Sequence, residues 1–422
     1  MKRLYGLLVL LLLATLMLAA CGTEVPATEE EVVEPAAEEV AEEDDEAAIE
    51  PDDVATEDDT VVVEEEGVED PFRVAFVYVA PVGDLGWSWS HDQGRLAIED
   101  QFGDQVETAY VESVPEGPEA TRVIRDFAQQ GYDLIFTTSF GYMDQTIEVA
   151  QEFPDTQFVH ISGFRTAPNV STVFGRMYIP RYLSGLVAGA ATESDIVGYV
   201  AAFPIPEVIR GINAFTLGVR AVNPEAEVRV VYTNTWFGPP EEREAAQALL
   251  DQGADVIAQH QDTTEPQKAA AEADAVSIGY NSDMREFVGD TVLTSPIWYW
   301  GVKYTEIVQQ VMDGTYPGDE SYWSADIVGL APFSPMVDAR IVDLVGEQDI
   351  AIREGQAEVF CGPITSNTGA LVVEEGNCLT DEEMLSMYWY VEGVVAEATG
   401  EEVTGLGEPS ELAPASSLVE LP

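Results

Sequence analysis

The sequence predicts an α/β protein made of two parallel-sheet lobes, and three observations carry the prediction. Short apolar runs of β-type residues alternate with amphipathic helical patterns, about 350 residues follow Asp70, and the alternation starts afresh after Thr192. Strands separated by helices pair in parallel with both sheet faces covered, and a chain of that length suits two domains better than one.

The first strand reads "VAFVYV", residues 74–79. Next come "VETAYV" (106–111), "DLIFTT" (133–138) and "QFVHIS" (157–162). Between them "PEATRVIRDFAQQG" places Val123, Ile124 and Phe127 at helical spacing and closes at Gly131. The second unit runs "DIVGYVAAF", a helix over 207–221, "EVRVVYTNTW", a helix over 241–253, "DVIAQHQ", a helix around 266–273, and "AVSIGYNS". "GLVAGA" sits inside an apolar helix, where its glycines permit close packing. After "TVLTSPIWYWG" come a further helix, "VKYTEIVQQVMDG", and a long stretch containing "DEEMLSMYWYVEGV". That much chain exceeds the needs of one lobe, so the chain is expected to cross between lobes more than once and to form a hinge near Thr192 and Pro296. The expected boundaries are 71–193 with about 292–325 for the first lobe, 194–291 with later segments to about 395 for the second, and a tail over 396–422.

Residues 1–21 read as an export signal. Two basic residues precede an apolar run from Leu4 to Met17, and Leu18-Ala19-Ala20-Cys21 forms a lipobox that leaves Cys21 to carry lipid. The run is shorter than the roughly 20 apolar residues of a spanning helix. Residues 22–70 contain 23 Asp and Glu and no Lys or Arg, which predicts a disordered acidic stalk. The whole chain carries a formal charge of −60, so nucleic acid and anionic surfaces are excluded as bulk partners. Cys361 and Cys378 flank a turn-rich stretch able to form a hairpin, and in an exported protein they are expected to form a disulfide, with two free thiols as the alternative. His91, His160 and His260 lack paired-ligand spacing, so no metal and no cofactor is expected.

Ligands of open parallel sheets bind beyond the carboxyl ends of the strands. The loops at those ends read "PVGDLGWSWSHD", "TTSFGYMD", "AAFPIPEV", "TNTWFGPP", "AQHQDTTEP", "GYNSDMR" and "SPIWYWG". Aromatics recur in them beside Asp, Asn, Gln and His, which suits a cleft that stacks a flat heterocycle and reads its edge. Trp87 and Trp89 are two apart, so in a helix they diverge, and Trp87 is the one expected at the cleft. His91 and Asp92 have the makings of a general base with its orienting carboxylate, but no G-x-S-x-G nucleophile motif is near, and a polar helix start accounts for them as well. Arg95 can pair with Glu99. Phe140, Phe203 and Trp236 are candidate walls, each with core packing as the alternative, and Asp283 is either a ligand acceptor or a helix N-cap. G-x-G-x-x-G and GxxxxGK[ST] runs are absent, so no nucleotide-triphosphate site is expected.

Taken together, the lipobox, "VAFVYVAPVGDLGWSWSHDQGR", "DLIFTTSFGYMD", "GRMYIPRYLSGLVAG", "VGYVAAFPIPEVIRGINAFTLGVRAVNP", "DQGADVIAQHQD" and "MDGTYPG" resemble the basic membrane protein (BMP) family, from about Phe72 to Gly393. The resemblance implies a type I periplasmic-binding-protein fold, two Rossmann-like lobes with a ligand cleft between them, and a substrate-binding lipoprotein of an ABC importer for purine nucleosides or related purines. The nucleoside binders of that family resemble a pattern with Asp and Phe-Asn after the first strand. Here that loop has Trp87 and no matching Asn, and is similar to a subgroup associated with free bases such as adenine. By position, Asp283 matches the acidic residue that holds ribose, and Trp298 falls where those proteins often carry Lys. The resulting expectation is a monomeric, non-enzymatic receptor in which Trp87, Phe140, Phe203, Trp236 and Trp298 enclose the ring. Ser139, Gln259, His260 and Asp283 bond its edge, and the partners are an ABC permease with its ATPase and the membrane that holds the lipid. The alternatives are a membrane-tethered sensor for a signalling partner and a nucleoside hydrolase.

Overall fold

A computed structural model describes residues 70–396, 408–409 and 412–419. The expected export signal with Cys21, and the expected acidic stalk up to Glu69, lie outside the described residues. Within them the chain opens with β1 (Phe72–Val77), α1 (Trp87–Phe102), β2 (Val106–Val111), α2 (Pro118–Gln129), β3 (Leu134–Thr137), α3 (Met143–Ala150), β4 (Gln157–Ile161) and β5 (Val170–Gly175). These strands pair in parallel in the order β2-β1-β3-β4-β5. Both faces are buried, and the period-two alternation of a strand sorts its residues between two cores. Val74 and Phe76 pack with Ile98 and Phe102 of α1, whereas Ala75 and Val77 pack with Val123, Ile124 and Phe127 of α2.

Beyond β5 the chain enters α4 (Tyr178–Ala191), then β6 (Ile196–Ala201), α5 (Pro206–Val222), β7 (Glu227–Tyr232), α6 (Pro239–Asp251), β8 (Val256–His260), α7 (Glu265–Glu272), β9 (Val276–Ile278), α8 (Arg285–Val288) and β10 (Val292–Thr294). The second sheet runs β7-β6-β8-β9-β10, all parallel, with Val394–Val395 added beside β7. Val197 and Tyr199 of β6 join the core under α4 and α5, and Val200 joins the one under α6 and α7. The glycines of "GLVAGA" do pack closely. A Cβ on Gly185 or Gly189 would overlap the backbone of Phe215 or Val219 in α5, and one on Gly218 the backbone of Tyr182.

Two expected lobe boundaries are corrected. The apolar face of α4, with Tyr182, Leu183 and Leu186, packs into the core of the second lobe. The first crossing therefore lies at Arg176–Met177 and not near Thr192. β10 still belongs to the second sheet, so the return crossing lies at Ser295, past the expected boundary at about 292 and next to the expected hinge at Pro296. From there β11 (Pro296–Trp298) leads into α9 (Trp300–Met312), which packs on α1, and β12 (Ser321–Ser324) extends the first sheet beside β5. The chain then crosses back through β13 (Val328–Leu330), antiparallel to β11, to α10 (Ala339–Arg353) and α11 (Asp381–Leu385) on the second lobe. Cys361 and Cys378 are joined as a disulfide, around the short hairpin of Ile364–Thr365 with Leu371–Val373. Ala415, inside the expected tail, is fully buried in the core of the second lobe. No helix among the described residues is long and apolar enough to cross a membrane.

Candidate functional site

Each sheet has a point where strand order reverses, between β1 and β3 in the first and between β6 and β8 in the second. Loops at the carboxyl ends of those strands diverge there and leave a crevice. The two crevices face each other across one cleft. A pocket is lined from the first lobe by Val79, Trp87, Ser139, Phe140 and Ser162, and from the second by Glu207, Trp236, His260, Asp262 and Tyr280.

The lobes touch at this cleft. The backbone of Gly86 lies against that of Asp262, the Ser282 hydroxyl donates to the Leu85 carbonyl, and Trp89 meets Phe287 of α8 edge to face at 6.0 Å. Trp87 thus turns inward and Trp89 clasps the opposite lobe. Leu85, Ser162, Asn234 and Asn281, all in strand-end loops, adopt left-handed backbone conformations. For residues other than glycine such conformations cost free energy, and they concentrate where a site demands a particular loop shape.

Trp87 is fixed by its surroundings. Its indole Nε1 donates to the Thr138 carbonyl at 2.6 Å and its ring stands edge-on to His91, with centroids 4.2 Å apart. His91 is buried, takes a 2.6 Å hydrogen bond with the Tyr304 hydroxyl and stacks on Trp300, so it supports Trp87 and has no catalytic partner. Asp92 and Glu99 both accept from Arg95 at 2.6 Å. The first turn of α1 is held by Asp84, whose carboxylate accepts from the amides of Gly86, Ser88 and Trp89 at 2.8–2.9 Å.

Of the predicted ligand residues, Trp87, Ser139, Phe140, Trp236 and His260 line the pocket. Phe203 stands one layer out, edge to face with Trp236 at 5.1 Å. Three others lie elsewhere. Gln259 precedes His260 on a strand, so it points to the other side, where its amide donates to the Thr263 carbonyl at 2.9 Å. Trp298 stacks on Trp300 at 4.5 Å and donates to Asn281 Oδ1, behind Trp87 and out of the pocket. Asp283 accepts from the Arg285 amide at 3.2 Å and serves the start of α8.

The acidic residues that do reach the pocket, Glu207 and Asp262, were missed as ligand groups. Glu207 has the signature of a first-turn acid after a strand, and Asp262 follows the strand at the switch point. His260 Nε2 lies 3.1 Å from Glu207 Oε1. Burial, followed by the charge of Arg181, pushes the His260 pKa down, so the neutral ring donates Nε2–H to the carboxylate. Burial alone would push Glu207 up, but the bond to His260 and the charges of Arg210 and Arg181 hold it below its ordinary value. Asp262 is raised well above the usual carboxylate range by burial and by the neighbouring Asp84, Glu242 and Glu207. The pocket therefore sets two acidic groups of opposite tendency between aromatic walls, Glu207 favoured toward its ionised form and Asp262 toward its protonated form. Among the described residues no group of His, Cys, Asp and Glu is placed to hold a metal ion.

Two parallel-sheet lobes that meet over a pocket at both switch points define a two-lobed solute-binding protein. Residues 72–359 match the family described as ABC transporter substrate-binding protein PnrA-like, and the chain belongs to that family. It is 41% identical over 328 residues to a purine-binding protein of Brucella abortus, covering 77% of this chain and 93% of that one. A Haloferax volcanii protein, named for glucose binding in an ABC transporter, is 44% identical over 293 residues, 69% of this chain and 74% of its own. A solute-binding protein of an Aeropyrum pernix ABC transporter system shares the fold, with a TM-score of 0.61 at 20% identity over 69% of this chain and 94% of that one. These three are named as binding proteins, while a Bacillus subtilis protein that is 27% identical over 271 residues is named as a transcriptional activator. The type I periplasmic-binding-protein architecture is shared with the solved solute-binding proteins.

Proposed function

We propose that this protein is a lipid-anchored receptor that captures a purine, adenine or a close relative, and delivers it to an ABC permease. The observation that carries the reading is the pairing of Trp87 and Phe140 from one lobe with Trp236 from the other around a pocket edged by Glu207, His260 and Asp262. A purine offers two π faces for such walls. Its adenine edge sets an amino donor beside a ring-nitrogen acceptor, which complements an ionised Glu207 next to a protonated Asp262. The purine-binding relative supports the same ligand class.

Function then follows from closure. Ligand contacts made by both lobes exist only when the lobes meet, so occupancy shifts the equilibrium toward the closed form that the permease recognises. Cys21 would carry the lipid, and the acidic stalk would set the reach from the membrane. No chemical step is assigned to the pocket carboxylates.

Calorimetric titration with adenine, guanine, adenosine, guanosine and glucose tests the reading. Micromolar or tighter binding of a purine supports it; glucose binding without purine binding overturns it. Release of free base from nucleosides at catalytic turnover would favour a hydrolase instead.

A further inference from the structure

The cleft does not end at the inner pocket. Phe140, Ser162 and Glu207 line both that pocket and a wider opening, whose other walls include Phe164, Tyr322 and Trp323 from the first lobe and Ile205, Leu385 and Tyr388 from the second. Three of these side chains are exposed, Phe164 by 62%, Leu385 by 43% and Tyr388 by 40%. Exposed apolar groups gathered at the mouth of a pocket signal a surface that a partner covers.

Glu207 and Glu382 are the acidic groups of this chamber, and several of its other polar groups already have protein partners. The Ser162 hydroxyl donates to the Ile161 carbonyl, that of Ser386 donates to the Glu382 carbonyl, and that of Ser321 accepts from Thr172. Arg210 is buried, donates to the Met384 carbonyl at 2.8 Å and has its guanidinium 5.2 Å from the Trp323 ring. A sugar entering the chamber would set hydroxyls against aromatic and aliphatic walls, whereas an apolar group would cover them.

We propose that the ligand is a purine carrying an apolar or aromatic substituent, with the base in the inner pocket and the substituent in the outer chamber against Phe164 and Leu385. The proposal rests on the purine reading of the inner pocket and specifies the substrate class for that site. The substituent leaves the base past Phe140, between Ser162 and Glu207, because those residues form the passage between the two spaces.

Calorimetric titration of the full chain with adenine, N6-benzyladenine, 9-benzyladenine and adenosine provides the test. At least one benzyl purine is expected to bind about 10-fold or more tighter than adenine, on the scale of burying an aromatic side group. Leu385→Ala, at an exposed position outside the inner pocket lining, is expected to reduce that advantage several-fold and leave adenine affinity unchanged, and Phe164→Ala is expected to reduce the advantage as well. If adenine binds and neither benzyl purine gains, or adenosine is the tightest of the four, the chamber proposal is overturned while the purine reading stands. If no purine binds, both fall.

Discussion

Gly86, at the start of α1 on the first lobe, lies so close to Asp262 on the second that a Cβ at Gly86 would overlap the Asp262 carbonyl. The two residues lie in loops that follow strands of different sheets, so the contact is expected to break when the lobes part. Gly86→Ala is accordingly expected to obstruct closure and weaken ligand binding by about 10-fold or more, because affinity falls with the fraction of competent closed state. Each lobe keeps its own core, so the melting temperature of the free protein should change little. Small-angle scattering with and without ligand reads closure directly; full compaction of the Ala variant would refute the assignment of this contact as a closing surface.

Trp87 and Trp298 meet edge to face at 5.6 Å, yet they are expected to fail differently when removed. Trp87 lines the pocket, so Trp87→Ala should lower affinity by roughly 10- to 100-fold, as lost stacking and apolar burial would. Trp298 is buried behind it and bonded to Asn281, so Trp298→Ala should destabilise the fold by about 3–5 kcal/mol. Chemical denaturation together with calorimetry separates the two. Equal losses of affinity with unchanged stability would place Trp298 in the pocket after all.

These distinctions also mark where sequence reading stops. Most strands of both sheets and many of their helices were visible because alternating and helical periods are local properties, whereas β5, β12, α3, α8 and α10 were not named, and several of the strand-end loops contribute to the pocket lining. Which residue in a loop faces the pocket depends on strand phase and on the next helix. His260 and Gln259 are neighbours with opposite directions, and a strand that is buried on both faces gives no polar signal to tell them apart. Asp262 and Asp283 each follow a strand, but only the strand before Asp262 borders the switch point, while Asp283 has the amide of Arg285 to satisfy. The lobe that α4 joins was hidden for a related reason. Its surface is apolar nearly all round, so composition does not say which sheet it covers.

The disulfide lies on the second lobe and its cysteines take no part in the pocket lining. A bridge with a sequence separation of 17 residues removes loop freedom from the unfolded chain, a stabilisation of about 3 kcal/mol. The double variant Cys361→Ser, Cys378→Ser should therefore unfold at lower denaturant concentration and bind ligand as the parent does. A comparable loss of affinity at temperatures where the variant is fully folded would show that the hairpin couples to the cleft.

Protonation provides the last prediction. Burial raises Asp84 to about 7 against its three amide hydrogen bonds, and raises Glu242 to about 7 against bonds from Thr263 and Gly238. Asp262, beside both, is raised as well, by burial and by their charges. A carboxyl group whose pKa is higher in the folded than in the unfolded chain contributes stability that is complete below its unfolded value, about 4, and is lost as pH rises through the folded value. The melting temperature of the free protein is therefore expected to fall by several degrees between pH 5 and pH 8. Self-repulsion of a chain with a formal charge of −60 acts in the same direction, so the slope alone does not identify the groups. Asp84→Asn isolates them, because the Asn oxygen can still accept from the Gly86 and Trp89 amides, only the bond from Ser88 is lost, and Asn does not titrate. The variant should show a shallower fall than the parent over this window; a parallel curve would mean that Asp84 is ionised throughout.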